Sequence, residues 1–352
     1  MRRMVLLLAL VVLLGGQARA AELPEDLTRS VPEAAGEVAG TDFQQGISAL
    51  LDTVQEHFFS LLRQGMAGMV RLLMVLLLCG IGESLLQPLQ EKNTFRYVTL
   101  AGTAAIVTVS AGDLSTLMGL GVETVTQLSQ FSKALLPTLA AATASAGMVG
   151  TASVKQVATV FFCDLLITMI HGLILPFLYL YIGAAAAGAM LGDSRLDAAA
   201  RGLKKVITWA LTALLTVFTL YLSIAGIVAG AADATAVRLA KRAISTAVPV
   251  VGNVIAGAAE TVLSGAATLK NSIGIFGVLA VLGTCAVPFL RIGMQYLLYK
   301  LAAFAAGTVS SPPLVKLVDS LGSAFGLILG MVGSCALLLT VAVLSSLLVV
   351  SI

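Results

Sequence analysis

Charge is scarce along this chain. Lys, Arg, Asp and Glu together make up 11% of its 352 residues, where soluble domains carry roughly 25%. That scarcity excludes an ordinary water-soluble globular protein. The surplus of +3 is too small and too evenly spread for a nucleic-acid partner. Histidine is rarer still, with two in the chain, which excludes His-rich metal chemistry. No H-E-x-x-H, G-x-S-x-G or G-x-x-x-x-G-K-[ST] occurs. The four cysteines, Cys79, Cys163, Cys285 and Cys335, each stand alone inside an apolar run. Without paired spacing they read as small core residues, neither disulfide partners nor metal ligands. We therefore expect no metal, no cofactor and no enzymatic activity. The alternating ten-residue segments of a membrane β-barrel are missing as well.

What the chain does have is apolar length. Hydrophobic residues make up 58% of it, the mean hydropathy is +1.00, and several runs exceed the roughly 20 residues that cross a bilayer as a helix. The class is an all-α, polytopic membrane protein of about six spans, with additional amphipathic or re-entrant helices.

Residues 1–21 have the layout of a secretory signal peptide: Arg2-Arg3, an apolar core from Met4 to Leu14, then Ala18-Arg19-Ala20. Residues 22–65 form a short exported segment. Its second half is amphipathic, with Phe43, Ile47, Leu50, Leu51, Val54, Phe58, Leu61 and Leu62 on one side. The polytopic domain occupies 66–352. Its spans are expected at about 66–86, 97–120, 157–191, 206–232, 273–307 and 321–350. The run 157–191 is longer than one upright helix needs and contains Pro176, so it is either one tilted, kinked helix or two tight spans. Segments 121–156 and 233–272 are mixed, reading as interfacial hairpins or re-entrant pairs. Ser310-Ser311-Pro312-Pro313 reads as a loop.

Pro137 and Pro176 lie 39 apart, as do Pro249 and Pro288, and both second prolines open Pro-Phe-Leu inside a long run. This suggests an internal duplication at an offset of 112, relating 97–205 to 207–317. Counting crossings from an exported N-terminus places 87–96, 192–205 and 300–320 in the cytoplasm. Arg195, Arg201, Lys204 and Lys205 agree with that orientation, whereas Arg238, Lys241 and Arg242 oppose it.

Three sets of residues are candidates for function. Asn253, Gly257, Glu260, Ser264, Thr268 and Asn271 recur at intervals of four, three, four, four and three, a helical stripe opposite Val251, Val254, Ile255, Ala258, Val262 and Leu269. The stripe either lies at the membrane interface or faces water or a partner inside an assembly. Asp164 and His171, seven apart, share a helical face. They form either a proton relay or a buried structural pair satisfied by a neighbouring helix. Lys300, Lys316 and Asp319 flank the last loop and read as solvated interface charges. Small residues four apart (Ala184, Gly188 and Gly192; Gly226 and Gly230; Gly322, Gly326 and Gly330) suit close helix packing. The last triple is the best candidate for a contact between chains.

Val248-Pro249-Val250-Val251-Gly252, Thr261-Val262-Leu263-Ser264, Leu269-Lys270-Asn271-Ser272-Ile273-Gly274-Ile275 and Tyr299-Lys300-Leu301-Ala302-Ala303 together resemble the stage III sporulation protein AE family of endospore-forming bacteria. Ala134-Leu135-Leu136-Pro137 and Leu175-Pro176 fit the same pattern. The likeness spans about residues 66–350 and is specific in the second half. It implies a mother-cell membrane protein of the eight-member stage III A set. With a forespore partner, that set resembles a secretion or feeding channel bridging the two membranes around the forespore and supporting late forespore gene expression. The implied role is a polytopic platform subunit, with membrane lipids, the other members of the set and copies of itself as partners, and with no established enzymatic activity. The competing expectation is a stand-alone secondary transporter with its site between the two repeats.

Overall fold

The computed structural model describes residues 43–86, 92–247 and 252–347, together with Pro32. The expected signal peptide 1–21 lies outside the described residues, as do the side chains of Asn253, Gly257 and Glu260. Among the described residues the chain is helical, without a strand. The helices are α1 (Phe43–Leu86), α2 (Lys92–Ser145), α3 (Val149–Met169), α4 (Leu175–Leu191), α5 (Ser194–Ala247), α6 (Gly252–Ala306) and α7 (Pro312–Leu347). A π-helical turn, Ile170–Ile174, joins α3 and α4 into a single rod. The result is six rods, each long and apolar enough to cross a membrane.

That turn has a local cause. Pro176 offers no N–H, and its ring crowds the carbonyl four residues earlier. Widening the preceding turn relieves both problems without breaking the rod. The run 157–191 therefore lies in one continuous rod with a π-helical turn at Ile170–Ile174.

The two mixed segments are the adjoining ends of long helices: residues 121–145 continue α2, a turn follows, and 149–156 open α3, while 233–247 continue α5 and 252–272 open α6. In the first case a buried face persists beyond the expected span: Val125, Leu128, Leu135, Leu139 and Ala142 pack inward at helical spacing. The amphipathic stretch expected before the first span is likewise continuous with it in α1. Ser145 and Ala247 end helices of equal length, 54 residues each. Pro137 lies inside α2, whereas α5 ends before position 249, so the 112-residue offset does not bring the helix ends into register.

At 1.5 Å per residue such a helix is about 80 Å long, against about 30 Å of hydrocarbon. The rods therefore extend past the apolar layer or tilt through it. Two tight turns need a left-handed backbone, and glycine supplies it: Gly147 (φ 86°) between α2 and α3, and Gly192 (φ 66°) between α4 and α5. Between α6 and α7, Val309 N and Ser310 N donate to Ala306 O at 3.0 and 2.9 Å. Pro312 and Pro313, expected in a loop, instead form the first turn of α7, where a missing N–H costs nothing.

The α6–α7 hairpin is the most extensive helix pair, and α7 also packs against α2, α3, α4 and α5. Its core includes Phe325, Ile328, Met331, Val332 and Leu338, all fully or almost fully buried. Outward-facing residues are just as apolar: Leu78, Leu85, Phe161, Trp209, Ile224 and Val228 are exposed. Such a surface suits lipid and not water. Hydroxyls within it are satisfied locally. Thr208, Thr212 and Thr216 on α5 each donate to the carbonyl four residues back, at 2.9, 2.8 and 2.8 Å.

Candidate functional site

An ionisable side chain within a membrane-crossing helix is expensive unless something pays its desolvation, which makes it a functional candidate. Asp113, in the first half of α2, is such a residue. Gln295 on α6 donates from Nε2 to Asp113 Oδ2 at 2.8 Å, and the Tyr299 hydroxyl reaches the same oxygen at 3.4 Å. Gln295 and Tyr299 are one helical turn apart and share a face with Arg291. Tyr299 is held in turn by α7, its ring meeting Phe325 edge-on at a 4.8 Å centroid distance. Ser110, fully buried one turn before Asp113, adds a further hydroxyl.

Helix α1 closes the third side, coming close at two glycines. A Cβ at Gly68 would sit 3.4 Å from Asp113 Oδ2, and one at Gly65 would sit 3.4 Å from Gln295 Oε1. The next residue on that face is Arg71. Between the three helices lies a crevice of about 250 Å³ lined by Gln64, Arg71, Asp113, Thr116, Arg291 and Gln295. Its two guanidinium groups, on exposed residues, stand around one carboxylate. This arrangement can hold water, an anion or the polar side chain of a partner at membrane depth. Among the described residues, no group of His, Cys, Asp and Glu side chains is placed to hold a metal ion.

A second polar cluster ties α3, α5 and α7 together. Met148, which precedes α3, supplies no side-chain cap. Asp233 of α5 provides it instead, accepting from Gly150 N at 2.9 Å and Thr151 N at 2.8 Å. Lys155, 3% exposed, donates from Nζ to the Ser345 carbonyl of α7. Its stem passes Gly226, where a Cβ would stand 3.3 Å from Lys155 Cε. The Gly226/Gly230 spacing thus admits a lysine at its first member.

The residues singled out from sequence fall differently. Asp164 and His171 do not form a buried pair: both are exposed, and Asp164 makes an ion pair with Lys133 at 3.7 Å. Of the stripe, Ser264, Thr268 and Asn271 are exposed along α6, while Lys270 and Ser272 beside them are buried. Val262, assigned to the opposite face, is also exposed. Two members of the glycine triple pack within the chain. A Cβ at Gly322 would lie 3.2 Å from Tyr299 Cβ, and one at Gly326 would lie 3.1 Å from the Tyr296 ring. Gly330 is exposed, with Leu211 at 3.9 Å. Small residues signal close approach here: α6 fills the groove at Gly322 and Gly326, and the Gly330 end stays open.

The rods, their lipid-facing surface and the inward polar crevice define a multi-pass α-helical membrane protein. Its sequence matches the stage III sporulation protein AE family over residues 31–349, and the chain belongs to that family. It is 26% identical over 255 residues to the stage III sporulation protein AE of Bacillus subtilis (strain 168), an alignment covering 71% of this chain and 63% of that protein. The chain thus spans less than two thirds of that relative. No solved structure matches it.

Proposed function

We propose that the chain is a membrane subunit of a sporulation-specific, secretion-like channel complex linking mother cell and forespore. In this reading it sits in the mother-cell membrane around the forespore and is needed for late forespore gene expression. Its partners are the other stage III A-set membrane proteins, a forespore protein and further copies of itself. It binds no nucleic acid or cofactor and performs no covalent chemistry. Family membership over residues 31–349 carries the reading. The crevice around Asp113 supports it, since a channel subunit needs polar groups facing inward from apolar helices.

The test is affinity recovery of the tagged full chain from sporulating cells, paired with a late forespore reporter in a deletion strain. Co-recovery of the A-set proteins and loss of the reporter are expected. A chain recovered alone, with reporter expression intact, would overturn the proposal.

One observation favours the transporter reading. Asp113 comes from 97–205 and Arg291 and Gln295 from 207–317, with α1 closing the crevice from outside both segments, so a polar site lies between the two halves. Solute uptake into proteoliposomes holding this chain alone would select that reading.

A further inference from the structure

At the ends of α4, α5, α6 and α7 nearest the turns at Gly192 and Gly307, a second cleft of about 610 Å³ opens. It is distinct from the Asp113 crevice and more cationic. Arg201 and Lys204 come from the first turns of α5, Lys300 from the last turns of α6, and Lys316 from the first turns of α7; Asp197 and Asp319 are the carboxylates among them. Formal charge there is positive by two. Lys300 bonds Asp319 Oδ1 at 2.6 Å, and Lys316 meets Asp197 at 3.7 Å.

The wall of the cleft brings like charges together. Lys204 Nζ and Lys300 Nζ both donate to the Ser323 hydroxyl, at 3.0 and 2.9 Å. Their nitrogens therefore lie within about 6 Å of each other, where two ammonium groups repel unless an anion is shared between them. Asp319 offsets one of them. The other, with Arg201 beside it in the same cleft, points to an anion supplied from outside.

The setting indicates what carries that anion. Phe304, 84% exposed on the outer face of α6, lines the same cleft, with buried Ala303 beside it. A ligand bound here would meet cations at one end and an apolar helix surface at the other. The cleft also lies at the end of the bundle holding the basic 192–205 segment, the end that counting crossings from an exported N-terminus places on the cytoplasmic side. Basic pockets between membrane helices on that side suit phosphate headgroups.

We propose that this cleft binds a phosphate group, delivered as the headgroup of an anionic phospholipid, with Lys204 and Arg201 as the main recognition groups. The proposal does not depend on the channel reading.

The test uses the full chain in mild detergent, titrated with phosphatidylglycerol, with phosphatidylcholine or with inorganic phosphate, and read by native mass spectrometry and thermal shift. Phosphatidylglycerol is expected to bind and stabilise, at least tenfold more tightly than phosphatidylcholine. Arg201→Gln with Lys204→Gln should weaken it by about tenfold or more, while Lys133→Gln on the far ion pair leaves it unchanged. Should the double variant fold poorly, Lys316→Gln at the exposed rim is expected to weaken binding about threefold with the Ser323 contacts intact. Competition by millimolar inorganic phosphate would keep the phosphate chemistry but assign it to a soluble source. Equal binding of the two lipids, or an unchanged preference in both variants, would overturn the proposal.

Discussion

Gln295 hands its amide N–H to Asp113 across the α2–α6 boundary at 2.8 Å, a polar contact between the two halves of the chain inside an apolar bundle. Replacing Asp113 with Leu leaves that amide and the Tyr299 hydroxyl short of an acceptor. A buried donor so orphaned costs about 1–3 kcal/mol. Asp113→Leu should therefore lower the thermal midpoint of the detergent-solubilised protein clearly. Asp113→Asn, which keeps an acceptor oxygen, should lower it less. Equal midpoints for the two variants would show that the hydrogen bond is not what matters.

Asp233 caps a helix to which it does not belong, and its removal should be felt at α3. Loss of a side-chain cap typically costs about 1 kcal/mol. For Asp233→Ala, hydrogen exchange at the Gly150 and Thr151 amides should accelerate before that of the α3 interior. Unchanged protection at both amides would speak against the cap.

Gly322 and Gly326 set the spacing of the α6–α7 hairpin. Leucine at either position meets Tyr299 or Tyr296, and overpacking of this kind costs about 1–3 kcal/mol. Gly330→Ala, with its nearest neighbour at 3.9 Å, should be close to neutral. Thermal unfolding ranks the three. Size-exclusion in detergent should show the same oligomeric state for all of them, because the groove lies inside one chain.

The outward-facing part of the α6 stripe is open to chemical labelling. Asn271→Cys in a Cys79→Ala background should react with a membrane-impermeant maleimide in the isolated chain, while Ser272→Cys, buried one residue on, should not. In sporulating cells, Asn271→Cys should become protected on assembly. Persistent labelling there would leave the stripe as an interfacial face alone.

Much of this architecture could be read from the residues. Run lengths predicted six rods, and Pro176 marked the one with the π-helical turn. The mixed segments are harder to read, because dilute polarity looks the same in a separate hairpin and in the adjoining ends of two long helices. The Leu128/Leu135/Leu139 spacing, set among Glu123, Gln127 and Lys133, is what marks the extension of α2. Asp113 stands inside the expected span 97–120, and run length alone does not single it out. The signal was there: an acid amid apolar residues, and Arg291, Gln295 and Tyr299 four apart on one helix. Only folding puts Gly65 and Gly68 opposite them. The Asp164–His171 spacing was correctly helical, but period alone does not say whether the shared face points inward.

The enclosure of α7 by α2, α3, α4, α5 and α6 bears on how the protein is made. A ribosome delivers those five before the segment they surround, so each enters the bilayer while the centre of the assembly is still vacant. Until Pro312–Leu347 follows, Tyr299 lacks Phe325 and Lys155 lacks the Ser345 carbonyl. A nascent chain stalled ahead of that point would present these groups to insertases and membrane proteases, which could use them to recognise an unfinished molecule.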